Sequence, residues 1–529
     1  MFSALPKRIV ILLTLSSLCL FIGCTKKTSA PLDSSSLVKT IPHNSVGLIQ
    51  WTTTSDGFKR FKNSTWVSKS NSFDAIQQPE LKKILSVLEQ LGLFHTSSEH
   101  IDKIKEGVGF LTVSSDTANP AIDFGFYVLG NEGEDLTAIV KNLQKELTSE
   151  GIAVKDISAN GRSALLINVT HPIPFYPSHI TVAAIKNKLS VASSATHLEN
   201  GLLDNPTVTP NPLLESGAYK TLANEAQERS SFVIALLDLA KVAPAIKEAV
   251  NKVDPSVDIS NLPLTFLTYE HGFVSGPSDT ISVSFDPKTD DQKNSLKLLN
   301  NSSNDQLNKL IPGDALAAIQ LDGASLERLG TLMSQDVSSV LLKKVARLSA
   351  VVRNASIGSL FPEVSVFFQS SDSAGLKKSV LENIKSLASE SGLPSSAWKS
   401  TDISGIQIDY SLTPLGLGIY VGQVKDVLVV SSSEDIFRQL SGPNDITLAK
   451  LVKDNKLFSV PTISNGYFDF VKIASVLKDL QGTMALFTGG ANQTDTDAAL
   501  ENLKNMGKFT FGLHYDTLKL TFESLYISN

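Results

Sequence analysis

Few stretches of this sequence combine residue types and spacings that could support catalysis. The 529 residues contain no G-x-S-x-G nucleophile pattern, no phosphate-binding P-loop and no dinucleotide-binding glycine fingerprint. Gly416 and Gly418 are followed by Gly422, one residue too far along for the dinucleotide pattern. These glycines stand before an apolar run that favours a strand, so they indicate a turn. We therefore predict no catalytic residue and no cofactor.

Two carboxylates near a glycine pair raise the possibility of a calcium loop. Asp495 and Asp497 follow Gly489 and Gly490. An EF-hand loop needs further oxygen ligands and a closing glutamate, and this stretch lacks them. Aspartate in the first turn of a helix is favoured by the helix dipole, so a helix start is the preferred interpretation. The 8 histidines are scattered, none at metal-ligand spacing from another, and we predict no metal site.

The segment from His171 to His179 contains three prolines and two aromatic residues, Phe175 and Tyr176. One hypothesis is a stiff recognition loop that presents the two aromatic side chains to a partner. The alternative is an ordinary connection between strands, held by its prolines. A matching stretch at residues 413–416 is shorter and has no histidine. The first loop is therefore the best local candidate for a partner contact.

An aspartate and a lysine three residues apart occur at two matching places, Asp238 with Lys241 and Asp469 with Lys472. This spacing suits an ion pair on the surface of a helix. Because the pair occurs twice, a structural role explains it better than catalysis.

Cysteine chemistry is confined to the start of the chain, where Cys19 and Cys24 are the only 2 cysteines. The body therefore has no disulfide framework, zinc site or cysteine nucleophile. Lys7 and Arg8 precede an apolar stretch at residues 9–22. This stretch is shorter than the roughly 20 residues of a membrane-spanning helix and fits the core of a signal peptide.

The end of this stretch resembles the lipobox of bacterial lipoproteins, in which a small residue precedes a cysteine that is lipidated and becomes the new N-terminus. Gly23 and Cys24 fit this pattern, and Phe21 stands where leucine is usual. The resemblance implies a signal peptide at 1–23, a lipid on Cys24 and a polar tether at 24–37. The body would then face the periplasm or extracytoplasmic space, from the cell membrane or the outer membrane. The alternative is an ordinary signal peptide with an incidental cysteine.

The segment IPHNSVGLIQ at residues 41–50 returns as IPGDALAAIQ at residues 311–320. Three further pairs of similar segments follow in the same order: 187–194 with 426–433, 232–242 with 463–473, and 279–285 with 516–522. We predict a tandem duplication, with a first module at 38–287, a connecting segment at 288–309 and a second module at 310–529.

Hydrophobic periodicity predicts the elements of each module. Alternating runs predict strands, with a tight hairpin at Lys186 and Asn187. Apolar residues at helical spacing predict helices, which include residues 79–93, 135–149, 325–352 and 373–391. Hairpins dominate over βαβ alternation. The expected class is therefore α+β, with each module a mainly antiparallel sheet covered by helices on one face.

Composition limits the class of protein. Hydrophobic residues make up 42% and charged residues 19%, which is ordinary for a globular chain. The formal net charge of −6 argues against nucleic acid, whose binding needs a basic surface.

The overall pattern is similar to that of the bacterial envelope proteins grouped as DUF3352, a family of unknown function. The residues that carry the resemblance are the Ile-Pro openings at Ile41 and Ile311 and the closing strands at 279–285 and 516–522. The resemblance covers nearly the whole mature chain and implies no catalytic residue.

Three functions remain open at this point. The leading hypothesis is a non-enzymatic, lipid-anchored envelope protein that binds an envelope protein partner or scaffolds an assembly. The second is a carrier or chaperone of lipid or another amphiphile, with an apolar cavity between helices and sheet. The third is an envelope hydrolase whose site is built from scattered acids and histidines.

Overall fold

A computed structural model gives the fold of this chain. The residues that it describes are 37–62, 103–113, 122–149, 151, 153–159, 162–168, 179–203, 211–243, 263–273, 276–297, 305–324, 345–354, 362–390, 398–412, 418–442, 447–453, 455–488, 497, 500–501 and 503–527. The chain divides into two compact units, Met1–Asp286 and Pro287–Asn529.

The described part of the first unit contains ten strands, and every pairing within the unit is antiparallel. The strands are β1 (Ser45–Thr52), β2 (Ile104–Val113), β3 (Ile122–Gly130), β4 (Val154–Ala159), β5 (Arg162–Asn168), β6 (His179–Ile185), β7 (Lys188–Ala192), β8 (Val233–Asp238), β9 (Leu264–Phe273) and β10 (Pro277–Phe285). Their hydrogen-bonded order is β4-β5-β6-β7-β3-β2-β1-β8-β9-β10. The predicted hairpin between β6 and β7 is confirmed, and Lys186 at its tip has the positive φ of 51° that tight hairpins need.

Helices cover both faces of this sheet. They are a 3-10 turn at Val38–Thr40 and the helices Asp56–Lys62, Thr137–Ser149, Ala195–Asn200, Pro212–Glu215 and Gly217–Arg229. On one face, Trp51 and Val128 pack with Leu143 of the helix Thr137–Ser149. On the other, Leu48 and Ile234 pack with the helix Gly217–Arg229. The predicted helical cover of one face is therefore wrong, because both faces of these strands are apolar and each needs a covering layer.

The described part of the second unit also contains ten strands. They are β11 (Ala317–Asp322), β12 (Arg347–Arg353), β13 (Glu363–Gln369), β14 (Lys399–Ile403), β15 (Ile406–Leu412), β16 (Gly418–Val424), β17 (Val427–Ser431), β18 (Ser464–Asp469), β19 (Lys508–Asp516) and β20 (Lys519–Ile527). Their order is β14-β15-β16-β17-β13-β12-β11-β18-β19-β20, again wholly antiparallel. Strand for strand, this is the order of the first unit. The mainly antiparallel α+β class is confirmed.

Helices also lie on both faces of the second sheet. They are Asp290–Lys297, Asp305–Leu310, Ser373–Glu390, Asp435–Ser441, Leu448–Leu451, Lys456–Ser459 and Phe470–Thr488. Leu376 and Val380 of the helix Ser373–Glu390 pack on one face, whereas Leu307, Phe437 and Leu448 pack on the other. No helix in the described residues is long and apolar enough to cross a membrane.

The two ladders also agree in register. Gln50 of β1 lies opposite Val108 and Ile234, and Gln320 of β11 lies opposite Ser349 and Asn465. In the same way Tyr127 of β3 pairs with Ser190, and Phe367 of β13 pairs with Val429. Positions in the two units can therefore be matched residue by residue.

Two details of the sequence prediction are corrected. The helix expected at 325–352 is wrong at its end, where Arg347–Arg353 forms β12 with side chains alternately buried and partly exposed. The spacing of the apolar residues there is compatible with a helix and with a strand. Hydrogen bonding to β11 and β13 stabilises the strand. The sequence match of residues 279–285 with 516–522 does not agree with the strand register of the two units. Asp279 lies within β10, whereas Asp516 ends β19 and is followed by a turn at Thr517 and Leu518. The helix predicted at 79–93 lies outside the described residues.

Candidate functional site

Most residues singled out by sequence lie outside the described part of the chain. This holds for Cys24, His171, Phe175 and Tyr176. His179 is described, and it opens β6 opposite Asn168 of β5. The predicted partner loop is therefore the connection between β5 and β6.

The repeated aspartate–lysine pairs form the predicted ion pairs. Nζ of Lys241 lies 2.9 Å from Oδ2 of Asp238, and Nζ of Lys472 lies 3.6 Å from Oδ2 of Asp469. Each aspartate also accepts a hydrogen bond from the backbone N–H of its lysine, at 3.2 and 3.1 Å. Asp238 directly precedes helical residues at 239–243, and Asp469 precedes the helix Phe470–Thr488. Both aspartates are thus helix N-caps as well as ion-pair partners.

A polar triad that sequence reasoning missed lies on β9 and β10 of the first unit. Nδ1 of His271 is 2.6 Å from Oδ1 of Asp279, its direct neighbour across the strand pair. The hydroxyl of Tyr269 donates to the same carboxylate oxygen at 2.8 Å. Because a carboxylate can only accept, the proton of this contact belongs to Nδ1 of the imidazole. The arrangement orients the ring and leaves Nε2 as the second functional nitrogen.

The environment of His271 is apolar and closed. The ring of Phe232 meets it edge-on with centroids 5.3 Å apart, and the ring of Tyr269 stacks on it at 6.4 Å. Only 6% of the residue is exposed, and Nε2 is buried without a hydrogen-bond partner among the described residues. A carboxylate-oriented imidazole has the chemistry of a general base, but this nitrogen does not reach solvent in the present conformation.

The second unit has apolar residues at the three matching positions. Leu513 and Phe522 form the cross-strand pair that His271 and Asp279 form in the first unit, and Phe511 matches Tyr269. The fold therefore does not require the triad.

Phe511 and Phe522 belong to an aromatic cluster on the same sheet face of the second unit. Its six rings are partly exposed, and neighbouring centroids lie 4.6 to 6.4 Å apart: Phe468, Phe470, Phe509, Phe511, Phe522 and Tyr526. Rings at these separations form favourable aromatic contacts. The cluster offers a surface suited to apolar groups.

The opposite face of the second sheet has a buried polar row. Ser349, Gln320 and Asn465 lie side by side on β12, β11 and β18, and each is 0% exposed. Nε2 of Gln320 donates to Oδ1 of Asn308 at 2.8 Å. The matching row in the first unit is Val108, Gln50 and Ile234.

Arg347 lies near this row and is the largest fully buried side chain described. Its two terminal nitrogens donate to the carbonyl oxygen and the hydroxyl of Thr462, at 2.9 and 3.1 Å. Burial lowers the pKa of Arg347 to about 10, and the charge of Asp322 acts in the opposite direction. The side chain therefore remains cationic at neutral pH and is held by structural contacts.

Among the described residues, no group of three or more histidine, cysteine, aspartate or glutamate side chains is placed to hold a metal ion. A scan against protein-family models gave no match, and searches of curated proteins and of solved structures gave none either. The similarity to DUF3352 and the lipoprotein assignment therefore stay predictions.

The sequence contained only a weak signal for the triad. His271 and Asp279 lie eight positions apart in strands that mix polar and apolar residues, so neither stands out by its type. Only the register of the β9–β10 hairpin places them opposite each other. The polar row has still less local signal, because its members come from three separate strands.

Proposed function

We propose that this chain is a lipid-anchored bacterial cell-envelope protein with a non-enzymatic binding or scaffolding role. The observation that carries the proposal is Gly23–Cys24 directly after the apolar stretch at 9–22. Cys24 would carry the lipid, and residues 24–37 would tether the body to the membrane surface. Nε2 of His271 is enclosed in this conformation, so this imidazole does not itself favour the hydrolase alternative.

Intact mass and detergent partitioning of the natively expressed protein test the anchor. The wild type is expected to begin at Cys24, carry acyl mass and enter the detergent phase. Cys24→Ala is expected to lack acyl mass. Cys19→Ala is the matched control, because it removes the other cysteine and should leave acylation unchanged. An unacylated wild type, or acyl mass on Cys24→Ala, would overturn the assignment.

We also infer that the two units are tandem copies of one module. The common strand order, the common register and the similarity of residues 41–50 to 311–320 support this inference. Duplication supplies two similar bodies that have since acquired different residues at matching positions, such as His271 and Leu513.

The loop between β5 and β6 is the proposed contact with an envelope protein partner, through Phe175 and Tyr176. A photo-crosslinking amino acid at Tyr176 tests it in cells that express the anchored protein. Leu415, in the corresponding loop between β15 and β16, is the control position. An adduct of one defined mass from position 176 alone is expected. The absence of an adduct at 176, or the same adduct from both positions, would contradict the contact.

Carriage of an amphiphile is the second candidate, and the aromatic cluster favours it. We assign the acyl chain of a membrane lipid as the guest, because the tether would hold the body beside a bilayer. Detergent-free native mass spectrometry should then show co-purified lipid, which Phe509→Ser with Phe511→Ser should release. Tyr410→Ser, in a stacked ring pair outside the cluster, should retain the lipid. Protein free of lipid would exclude this candidate.

A further inference from the structure

The polar row of the second unit contains more hydrogen-bonding atoms than it satisfies. Within the described part of the chain, Oε1 of Gln320, Oγ of Ser349 and both side-chain polar atoms of Asn465 have no partner. All three residues are 0% exposed, so bulk water does not reach them. Burying unpaired polar atoms costs more free energy than an ordinary hydrogen bond contributes, and native proteins pair nearly all of them.

The four atoms lie in one neighbourhood. Gln320 is the direct cross-strand partner of both Ser349 and Asn465, and directly opposed residues project from the same face of a sheet. Asn308 accepts from Nε2 of Gln320 at 2.8 Å and so fixes which end of that amide is satisfied. Oε1 is the end that needs a donor.

The row also has room beside it. On β19 the direct neighbour of Asn465 is Gly512, which contributes no side chain. Among the described residues, the nearest atom that a Cβ added to Gly512 would meet is Cβ of Leu457, at the ordinary contact distance of 3.5 Å. At least the space of a methyl group is therefore open next to the Asn465 amide.

We propose that this row encloses ordered water beside Gly512. The side chains of Gln320, Ser349, Asn465 and Asn308 are neutral. The charged side chains of Arg347 on β12 and of Glu523, opposite Gly512 on β20, lie on this face and are of opposite sign, so their charges together do not favour an ion. Water can donate to the amide oxygens and accept from the Asn465 amide and the Ser349 hydroxyl. An interior water typically makes about three such bonds to groups that otherwise lack partners.

The first unit provides the contrast. Val108 and Ile234 stand where the second unit has Ser349 and Asn465. Gln50 accepts a hydrogen bond from the hydroxyl of Tyr219 at 3.3 Å, a direct contact within the protein. On β9, Glu270 occupies the position of Gly512 and accepts from Arg229 at 3.2 Å. This row is therefore expected to be dry.

Magnetic relaxation dispersion of water oxygen, which counts long-lived internal water, tests the proposal on the full-length protein. The wild type is expected to show long-lived water that Ser349→Val with Asn465→Ile removes, since these are the residues of the first unit. Ile234→Val in the first unit is the control and should leave the signal unchanged. An unchanged water signal and a higher urea midpoint in the double variant would overturn the proposal. That result would mean that the polar atoms of Ser349 and Asn465 have no contact with water in the wild type.

Gly512→Ala is a second, smaller variant in case the double variant does not fold. Its single methyl group fills the space beside Asn465, and it should lower the water signal and the urea midpoint while circular dichroism stays unchanged. A full water signal in folded Gly512→Ala would contradict the location. Native mass spectrometry could instead show a discrete excess mass on the wild type that the double variant Ser349→Val with Asn465→Ile lacks. That result would contradict water as the guest and indicate a larger polar ligand.

Discussion

Nδ1 of His271 lies 2.6 Å from Oδ1 of Asp279 across the β9–β10 pair, whereas the matching pair of the second unit is Leu513 and Phe522. The same backbone position thus accepts either a buried polar pair or two apolar side chains. The position should not accept one polar and one apolar residue, because burying a polar group without its partner lowers the free energy of unfolding.

Replacing one member of the His271–Asp279 pair is therefore expected to lower the unfolding free energy of the first unit by more than half of the loss that the double replacement causes. His271→Leu removes a donor from the carboxylate, and Asp279→Phe leaves both ring nitrogens without a carboxylate. Each should cost about 1–3 kcal/mol of unfolding free energy. The double variant should cost less than the sum of the two, as urea unfolding followed by circular dichroism would measure. Additive losses would mean that the two groups are not coupled.

Gly107 is expected to be intolerant of alanine because the ring of Trp51 lies directly over it. A Cβ at this position would sit 1.9 Å from Cζ2 of Trp51, so the ring must move out of a packed core. We expect a loss of about 1–3 kcal/mol in urea unfolding. Gly217→Ala is the matched control, since no described atom lies within 4 Å of the added methyl group. Its stability should stay equal or rise by up to about 1 kcal/mol. Wild-type stability in Gly107→Ala would show that the ring is free to shift.

The N-cap aspartates should matter more than the lysines paired with them. Asp238→Ala and Asp469→Ala each remove the acceptor of a helix N-terminal N–H, with an expected cost of about 1 kcal/mol. Lys241 and Lys472 are 53% and 42% exposed, so Lys→Met at either position should change stability by less than about 0.5 kcal/mol. Denaturant midpoints of the four variants compare the two effects within each unit. Equal losses for aspartate and lysine variants would assign the stabilisation to the ion pair.

Acidification is expected to weaken the first unit through His197. Burial lowers the pKa of His197, and the nearby charge of Asp123 opposes this only in part. The unfolded chain therefore takes up this proton at a higher pH than the folded chain does. The contribution of His197 to stability falls as the pH drops from about 6.5 toward the lowered folded pKa.

The comparison of His197→Gln with the wild type isolates this effect. Between about pH 7.5 and about pH 5.5, the urea midpoint of the variant should fall less than that of the wild type. His43→Gln, which changes an exposed imidazole of the same unit, should keep the wild-type dependence. Identical slopes for His197→Gln and the wild type would remove His197 as the cause.

The local sequence pattern was sufficient to predict some helices, strands and turns and insufficient to predict others. The turn at Lys186 and the helix Thr137–Ser149 follow from residues close in sequence, and both were predicted. Residues 345–352 were assigned to a helix because their apolar spacing suits either period. Only the partners on β11 and β13 decide for a strand.

The buried polar groups lay beyond prediction for a related reason. Nothing near Gln320 indicates that Ser349 and Asn465 will be its neighbours, because those contacts depend on the register of three distant strands. The similarity between residues 41–50 and 311–320 predicted the position of Gln320 in a strand but could not reveal its surroundings. Likewise, Asp279 becomes a partner of His271 only once the hairpin register is known.

The packing of Trp51 against Gly107 has a spectroscopic consequence. Trp51 is 4% exposed and its indole N–H has no partner among the described residues, so its fluorescence should be blue-shifted and its indole proton slow to exchange. In the second unit the ammonium of Lys385 lies 5.4 Å from the ring centroid of Trp398, which is only partly buried. The two indoles should therefore emit differently. The third tryptophan, Trp66, also belongs to the first unit, so in a Trp66→Phe background each indole is an intrinsic optical label for the unit that contains it.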